Sequence, residues 1–250
     1  MTVETDARAS NRQRIVAVAA ALLRDGGQSA VTTRSVADRA GVQAPTIYRL
    51  FGDKDGLLDA IAEHEMTIFA TAKRSAVAVA ADDDIDPIED LRTGWDMTVG
   101  FGLANPDLYA LISDPSRRPR SPAAAAGMQL LADRVHRVAR AGRLQVSEDR
   151  AVDLIHAAGT GAVLATLAKP AAERDQRLAD AMFDAILTQI IAPDDVDRAA
   201  RRATPTESPI DVAAHAVALR AHADDLAALS ENERRMLTEW LDRVIAGPRP

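Results

Sequence analysis

Residues 38–54 read DRAGVQAPTIYRLFGDK, and this stretch decides how the rest of the chain is read. Taking Thr33 as the first position, a small residue falls at the fifth place (Ala37), a glycine at the ninth (Gly41) and a β-branched aliphatic at the fifteenth (Ile47). Two helices that cross steeply over a short turn need those three things. A small side chain lets the backbones approach, a residue that tolerates positive φ makes the turn, and apolar side chains lock the second helix to the first. Val36, Ala40, Val42, Leu50 and Phe51 complete a miniature core. The spacing predicts one helix capped by Thr32 or Thr33 and ended by Gly41, and a second that begins at Ala44-Pro45 and ends by Gly52.

The outward side of that second helix is Gln43, Thr46 and Arg49, with Tyr48 at the flank. All four carry groups that hydrogen-bond to phosphates or base edges, which suits a helix that enters a DNA groove. Charge supports the same reading. The chain as a whole carries −7, yet residues 1–54 hold eight Lys/Arg against five Asp/Glu, and 8–54 hold eight against three. A small basic head on an acidic body is the footprint of a nucleic-acid reader joined to an effector or assembly domain.

Working outward, strand-like alternation is rare, aromatics are 3% of residues, and apolar positions recur at helical spacing, so the fold is expected to be all-α. The first helix is expected to open with a capping box at Ser10 and Gln13, bury Ile15, Val18, Ala19 and Leu22, and stop at Gly26-Gly27. A fourth helix follows over about 54–80, then helices near 87–104, 106–113, 122–142, 148–168 and 172–192. SDPSRRPRSP (113–122) reads as a mobile loop, and the polar RRATPTESP (201–209) precedes a last pair at about 208–228 and 230–246. The expected organisation is a helix-turn-helix DNA-binding domain over 1–54, a helical ligand-binding and dimerisation domain over 55–192, and a C-terminal helical extension over 193–250.

With these residues in view, TTRSVADRAGVQAPTIYRLFGDKDGLL (32–58) resembles the DNA-binding segment of the tetracycline-repressor (TetR) family of bacterial regulators. The Thr-Thr-Arg start, the Ala-Gly-Val turn, the Pro-Thr-Ile-Tyr helix and the Phe-Gly-Asp-Lys that leads into Leu-Leu carry the resemblance, which covers about residues 10–60. It implies a dimeric repressor whose helical body binds a small molecule. Carried over, it makes Thr33, Tyr48 and Lys54 phosphate contacts, turns Arg34, Gln43, Thr46 and Arg49 to the groove floor, and sets Ala44 and Pro45 against thymine methyls or sugar. The chain departs from the family at Arg49-Leu50, where a histidine or aromatic is common. Its base preference is therefore its own.

The body offers Trp95, Val99, Leu103, Tyr109, Met128 and Leu131 as apolar lining for an effector of unknown identity, with His136, His156 or Thr160 to orient it. Ordinary core packing is the competing reading for each. IHAAGTGAVLATLA (155–168) sets Ala158, Gly161, Ala162 and Ala165 at spacings of three and four, and the next helix adds Leu178, Met182, Phe183, Ile186, Leu187 and Ile190. These two helices, near 148–168 and 172–192, are expected to form a homodimer surface that delivers two heads to a near-palindromic double-stranded operator.

Other chemistries find little support. The chain has no cysteine, which excludes thiolate sites and disulfides and fits a reducing cytoplasm. The run IVAVAAALL from Ile15 is about half a membrane span, so no membrane partner is expected. Gly159-Thr160-Gly161 lacks the third glycine of a dinucleotide loop, and DDDID (82–86) lacks the glycine and terminal glutamate of a calcium loop. Neither GxSxG nor a phosphate-binding loop occurs, so the chain is expected to be no enzyme and to use no cofactor or metal. A DNA-binding helical protein without a small-molecule ligand is the alternative.

Overall fold

The computed structural model describes residues 2–82, 85–114, 122–192 and 209–246. Among them the fold is all-α, the only strand-like pairing being an isolated bridge between Leu144 and Ile191. The chain divides into two compact units, Met1–Ala76 with Gly100–Gly127, and Val77–Val99 with Met128–Pro250. The loop expected at 113–122 falls largely outside the described residues, as do 193–208.

In the first unit, α1 (Thr2–Ala30) is interrupted at Gly26 and Gly27, where Gly27 takes φ 68°. The break falls where the two glycines predicted it. The start does not, because Ser10 lies inside a helix that already runs from Thr2. A serine caps only where the backbone before it is non-helical, and Ala7, Arg8 and Ala9 are good helix formers that carry the helix through it. Next come α2 (Thr33–Ala40), α3 (Ala44–Phe51), α4 (Lys54–Asp82), the last residues of α5 (Pro87–Ala104) and α6 (Pro106–Ile112). Ile15, Ala19 and Leu23 of α1 bury against Val36, Ala37 and Ala40 of α2, Ile47 of α3 and Leu57, Leu58 and Ile61 of α4. Leu108 and Leu111 of α6 close the same core. Phe69 of α4 stacks on Phe101 of α5 with centroids 4.2 Å apart.

The second unit is built from α7 (Pro122–Arg140) from Met128 onward, α8 (Glu148–Leu167), α9 (Leu178–Ile190), α10 (Pro209–Ala221), α11 (Glu231–Ala246) and most of α5. Helix α8 starts at an N-cap serine, Ser147, whose Oγ accepts from Arg150 N. It packs on α9, and each helix buries one face, with Ile155, Ala158, Ala162 and Val163 buried on α8 and Phe183 and Ile190 on α9. Helix α9 begins at Leu178 rather than near 172, because Pro170 starts a single 3-10 turn and Arg174 is extended. Ser230 and Glu233 form a reciprocal capping box at the start of α11. An Arg220–Asp242 ion pair ties α10 to α11.

Candidate nucleic-acid interface

Local sequence chemistry builds the interface. Thr32 is the N-cap of α2: its hydroxyl accepts from Ser35 N at 3.0 Å, while Ser35 Oγ accepts from Thr32 N at 3.0 Å. Such a cap is worth about 1 kcal/mol. Gly41 closes the helix at φ 64° and ψ 38°, and Val42 N reaches back to the Ala37 carbonyl at 2.9 Å. A side chain at Gly41 would meet nothing within 4 Å, so the backbone conformation is what calls for glycine here. The chain then re-enters a helix at Ala44 with Pro45 in the first turn, where a missing N–H costs nothing.

Ile47, wholly buried, fixes the rotation of α3. With that residue inward, Gln43, Pro45, Tyr48 and Arg49 are exposed, and Ala44 and Thr46 are half-buried at the edge. On α2, Arg34 projects with 93% of its side chain exposed, 4.0 Å from Asp38. The Tyr48 hydroxyl lies 3.4 Å from Thr33 Oγ1, so two expected phosphate ligands from different helices sit side by side. Lys54 is exposed at the start of α4 and donates from Nζ to the Gln28 carbonyl at 3.3 Å. Leu50 and Phe51 pack against the core, and the Arg12 guanidinium lies 5.3 Å from the Phe51 ring centre. This contact sets Arg12 of α1 beside α3.

The α3–α4 connection is equally constrained. Asp53 Oδ1 accepts from Gly56 N at 2.8 Å, and a Cβ at Gly56 would collide with the Phe51 carbonyl oxygen. The second glycine of GDKDG thus permits the close pass that puts Lys54 beside α3.

The effector candidates are distributed over both units. Trp95 and Val99 are buried in the second, where Met128, Leu131 and Thr160 are half-buried and His156 is exposed. Leu103, half-buried, and Tyr109, buried, belong to the first. Trp95 rests on Phe183 with centroids 5.2 Å apart, and a Cβ at Gly159 would come within 3.3 Å of its ring. His136 Nδ1 is 3.1 Å from Glu148 Oε2. A cavity of about 150 Å³ lies among Ala141, Gly142, Ala214, His215 and Ala218 and is lined by none of these candidates. Of the expected dimer residues, Ala158, Ala162, Phe183 and Ile190 are buried within the unit, while Gly161 and Ala165 are exposed and Leu178, Met182, Ile186 and Leu187 half-buried. Sequence reasoning missed Asp90 and Arg134, which are 3% and 1% exposed and paired at 3.2 Å. Their separation of 44 residues leaves no local signal.

Two short helices joined by a left-handed glycine turn, with Ile47 buried and a polar outer face, define a helix-turn-helix protein. Residues 15–61 match the family described as bacterial regulatory proteins, tetR family. It is 46% identical over 57 residues to the class C tetracycline repressor protein of Escherichia coli, covering 23% of this chain and 26% of that one. It is 42% identical over 77 residues to the HTH-type transcriptional repressor KstR of Mycobacterium tuberculosis, covering 30% and 35%. The chain therefore matches only about a quarter to a third of the length of these relatives. The solved structure of RolR with resorcinol superimposes with a TM-score of 0.58 at 16% identity, over 82% of this chain and 98% of that one. At that identity the likeness concerns the fold. Among the described residues, no helix is long and apolar enough to cross a membrane.

Proposed function

We propose that the chain is a cytoplasmic, dimeric transcriptional repressor that binds a near-palindromic operator and is released by a small molecule. The observation that carries this reading is the outer face of α3, where Gln43, Tyr48 and Arg49 are exposed on a helix whose rotation Ile47 fixes. Repressor relatives at the head support it. Thr33, Tyr48 and Lys54 hold phosphates and set the register, while Arg34, Gln43, Thr46 and Arg49 read base edges and Ala44 and Pro45 make the apolar contacts.

Dimerisation through α8 and α9 places two recognition helices in successive major grooves, about 34–36 Å apart. Effector binding in the body, at a site drawn from Trp95, Val99, Met128, Leu131, His156 and Thr160 of the second unit, shifts the population toward a head separation that no longer fits. Helix α4 gives that shift a route, since it starts at the phosphate ligand Lys54 and runs unbroken to Asp82. An enzymatic role is no part of the proposal. A gel shift of the full chain on its own upstream DNA tests the reading. Loss of the shifted band with Tyr48→Phe, Lys54→Ala and Arg49→Ala combined is expected, and an unchanged band overturns it.

A further inference from the structure

Arg134 of α7 is among the most deeply buried side chains of the second unit, and it is poorly satisfied there. Its Nε donates to Asp90 Oδ1 at 3.2 Å, but Nη1 and Nη2 are buried without a hydrogen-bond partner. The carboxylate it uses is shared, because Arg137 bonds the other oxygen of Asp90. Among the described residues, two guanidinium charges thus meet a single carboxylate, which leaves one positive charge in excess. Burial of an arginine with open donors is costly, and an apolar residue of the same size is often neutral or stabilising in its place. The backbone is nevertheless shaped to hold it. A Cβ at Gly94 would stand 2.9 Å from the guanidinium carbon, Nε and Nη1, so glycine lets α5 pass close to the group.

From this geometry we infer that the effector is an amphipathic monoanion, a carboxylate on an apolar frame, whose charged end binds Arg134 Nη1 and Nη2. The inference rests on the proposal that the body binds a small molecule, and it names the class of that molecule. A carboxylate supplies two acceptors to the two open donors and cancels the unbalanced charge, which neither an alcohol nor an amine does. The residues that flank Gly94 on α5 and Arg134 on α7, Leu91, Trp95, Val135 and Val138, are buried and apolar, which suits the apolar remainder of the ligand.

The test uses the full chain, with decanoate and phenylacetate as probes beside the matching primary alcohols and amines. Thermal unfolding and calorimetric titration are measured for the wild type, Arg134→Met and Arg134→Lys. Both carboxylates are expected to raise the wild-type Tm and the alcohols and amines to leave it unchanged. Arg134→Met is expected to fold and to bind the carboxylates at least tenfold more weakly, with Arg134→Lys between the two. Alcohols that bind as well as the carboxylates, carboxylates that bind none of the three proteins, or an Arg134→Met variant with undiminished carboxylate affinity would each overturn it. Operator binding in a separate gel shift keeps the two readings apart. Failure there with carboxylate binding intact sinks the repressor and spares the site, and operator binding with no response to carboxylate does the reverse.

Discussion

The Tyr48 hydroxyl and the Thr33 hydroxyl stand 3.4 Å apart, one on α3 and one on α2, at the rim of the same exposed face. Under the proposed function the pair serves as a two-point clamp for a phosphate, since each oxygen can turn a proton outward. Tyr48→Phe removes one donor and none of the buried contacts. It should weaken binding to every duplex sequence alike by about five- to tenfold, about 1 kcal/mol, with Tm shifted by little. A gel-shift series on specific and random DNA checks this.

Lys54 and Arg49 should separate by the kind of contact they make. Lys54→Ala exchanges a phosphate contact for nothing, so affinity should fall on all sequences and the slope of log K against log salt should shrink by about one. Arg49→Ala should instead relax preference at one or two base pairs per half-site, each worth about 1–3 kcal/mol. Salt-dependent fluorescence anisotropy on matched and mismatched duplexes distinguishes the two.

Gly56 and Gly41 should prove intolerant for different reasons. Gly41→Ala forces a Cβ onto φ 64° in open space and should cost about 1–2 kcal/mol. Gly56→Ala drives its Cβ into the Phe51 carbonyl oxygen and should cost more, lowering the Tm further and loosening α3. Thermal melts of both variants, read by circular dichroism, give the order.

Gly94 and Arg134 should be energetically coupled. Gly94→Ala alone crowds the guanidinium against α5, and Arg134→Met relieves that crowding with a flexible side chain. The double variant should therefore be more stable than the sum of the single changes implies, by about 0.5–3 kcal/mol. Urea denaturation of the four proteins measures the coupling.

Where the sequence and the structure agree, the signal is local. Thr32, Gly41, Pro45 and Gly52 each act on the residues beside them, so α2 and α3 could be read to within a residue. Local signals also misled. Ser10 and Gln13 have the spacing of a cap, yet a helix already under way overrides it. Spacing in α8 could not say which small residues face inward, and Ala158 and Ala162 are buried while Gly161 and Ala165 remain exposed. His156 follows Ile155 by about 100° of helix rotation and is carried to the surface. The Asp90–Arg134 pair could not be read at all, because nothing short of the packing of α5 on α7 brings the two together.

Acid should loosen the end of α10. Asp225 is held below the usual aspartate range, first by the hydrogen bond with His222 and then by Arg140. Its carboxylate bonds Arg140 at 2.6 Å and His222 Nδ1 at 3.2 Å, while His222 Nε2 lies 3.1 Å from the Arg140 carbonyl oxygen. A carboxyl group with a depressed folded pKa stabilises above its unfolded value, about 3.9, and that contribution disappears as pH falls through the folded value. Amide exchange over 218–226 should therefore accelerate, relative to the rest of the chain, below about pH 4. Asp225→Asn should show the faster exchange at neutral pH and lose the acid dependence.

The repressor account is tested most directly by selecting duplexes from a random pool with the purified full chain. The account predicts enrichment of a near-palindrome whose half-sites are centred about 10–10.5 base pairs, or a multiple of that, apart. It also predicts that the combined Tyr48→Phe, Arg49→Ala and Lys54→Ala variant enriches nothing. A pool that stays random with the wild-type protein, or one that the triple variant enriches equally, would contradict it.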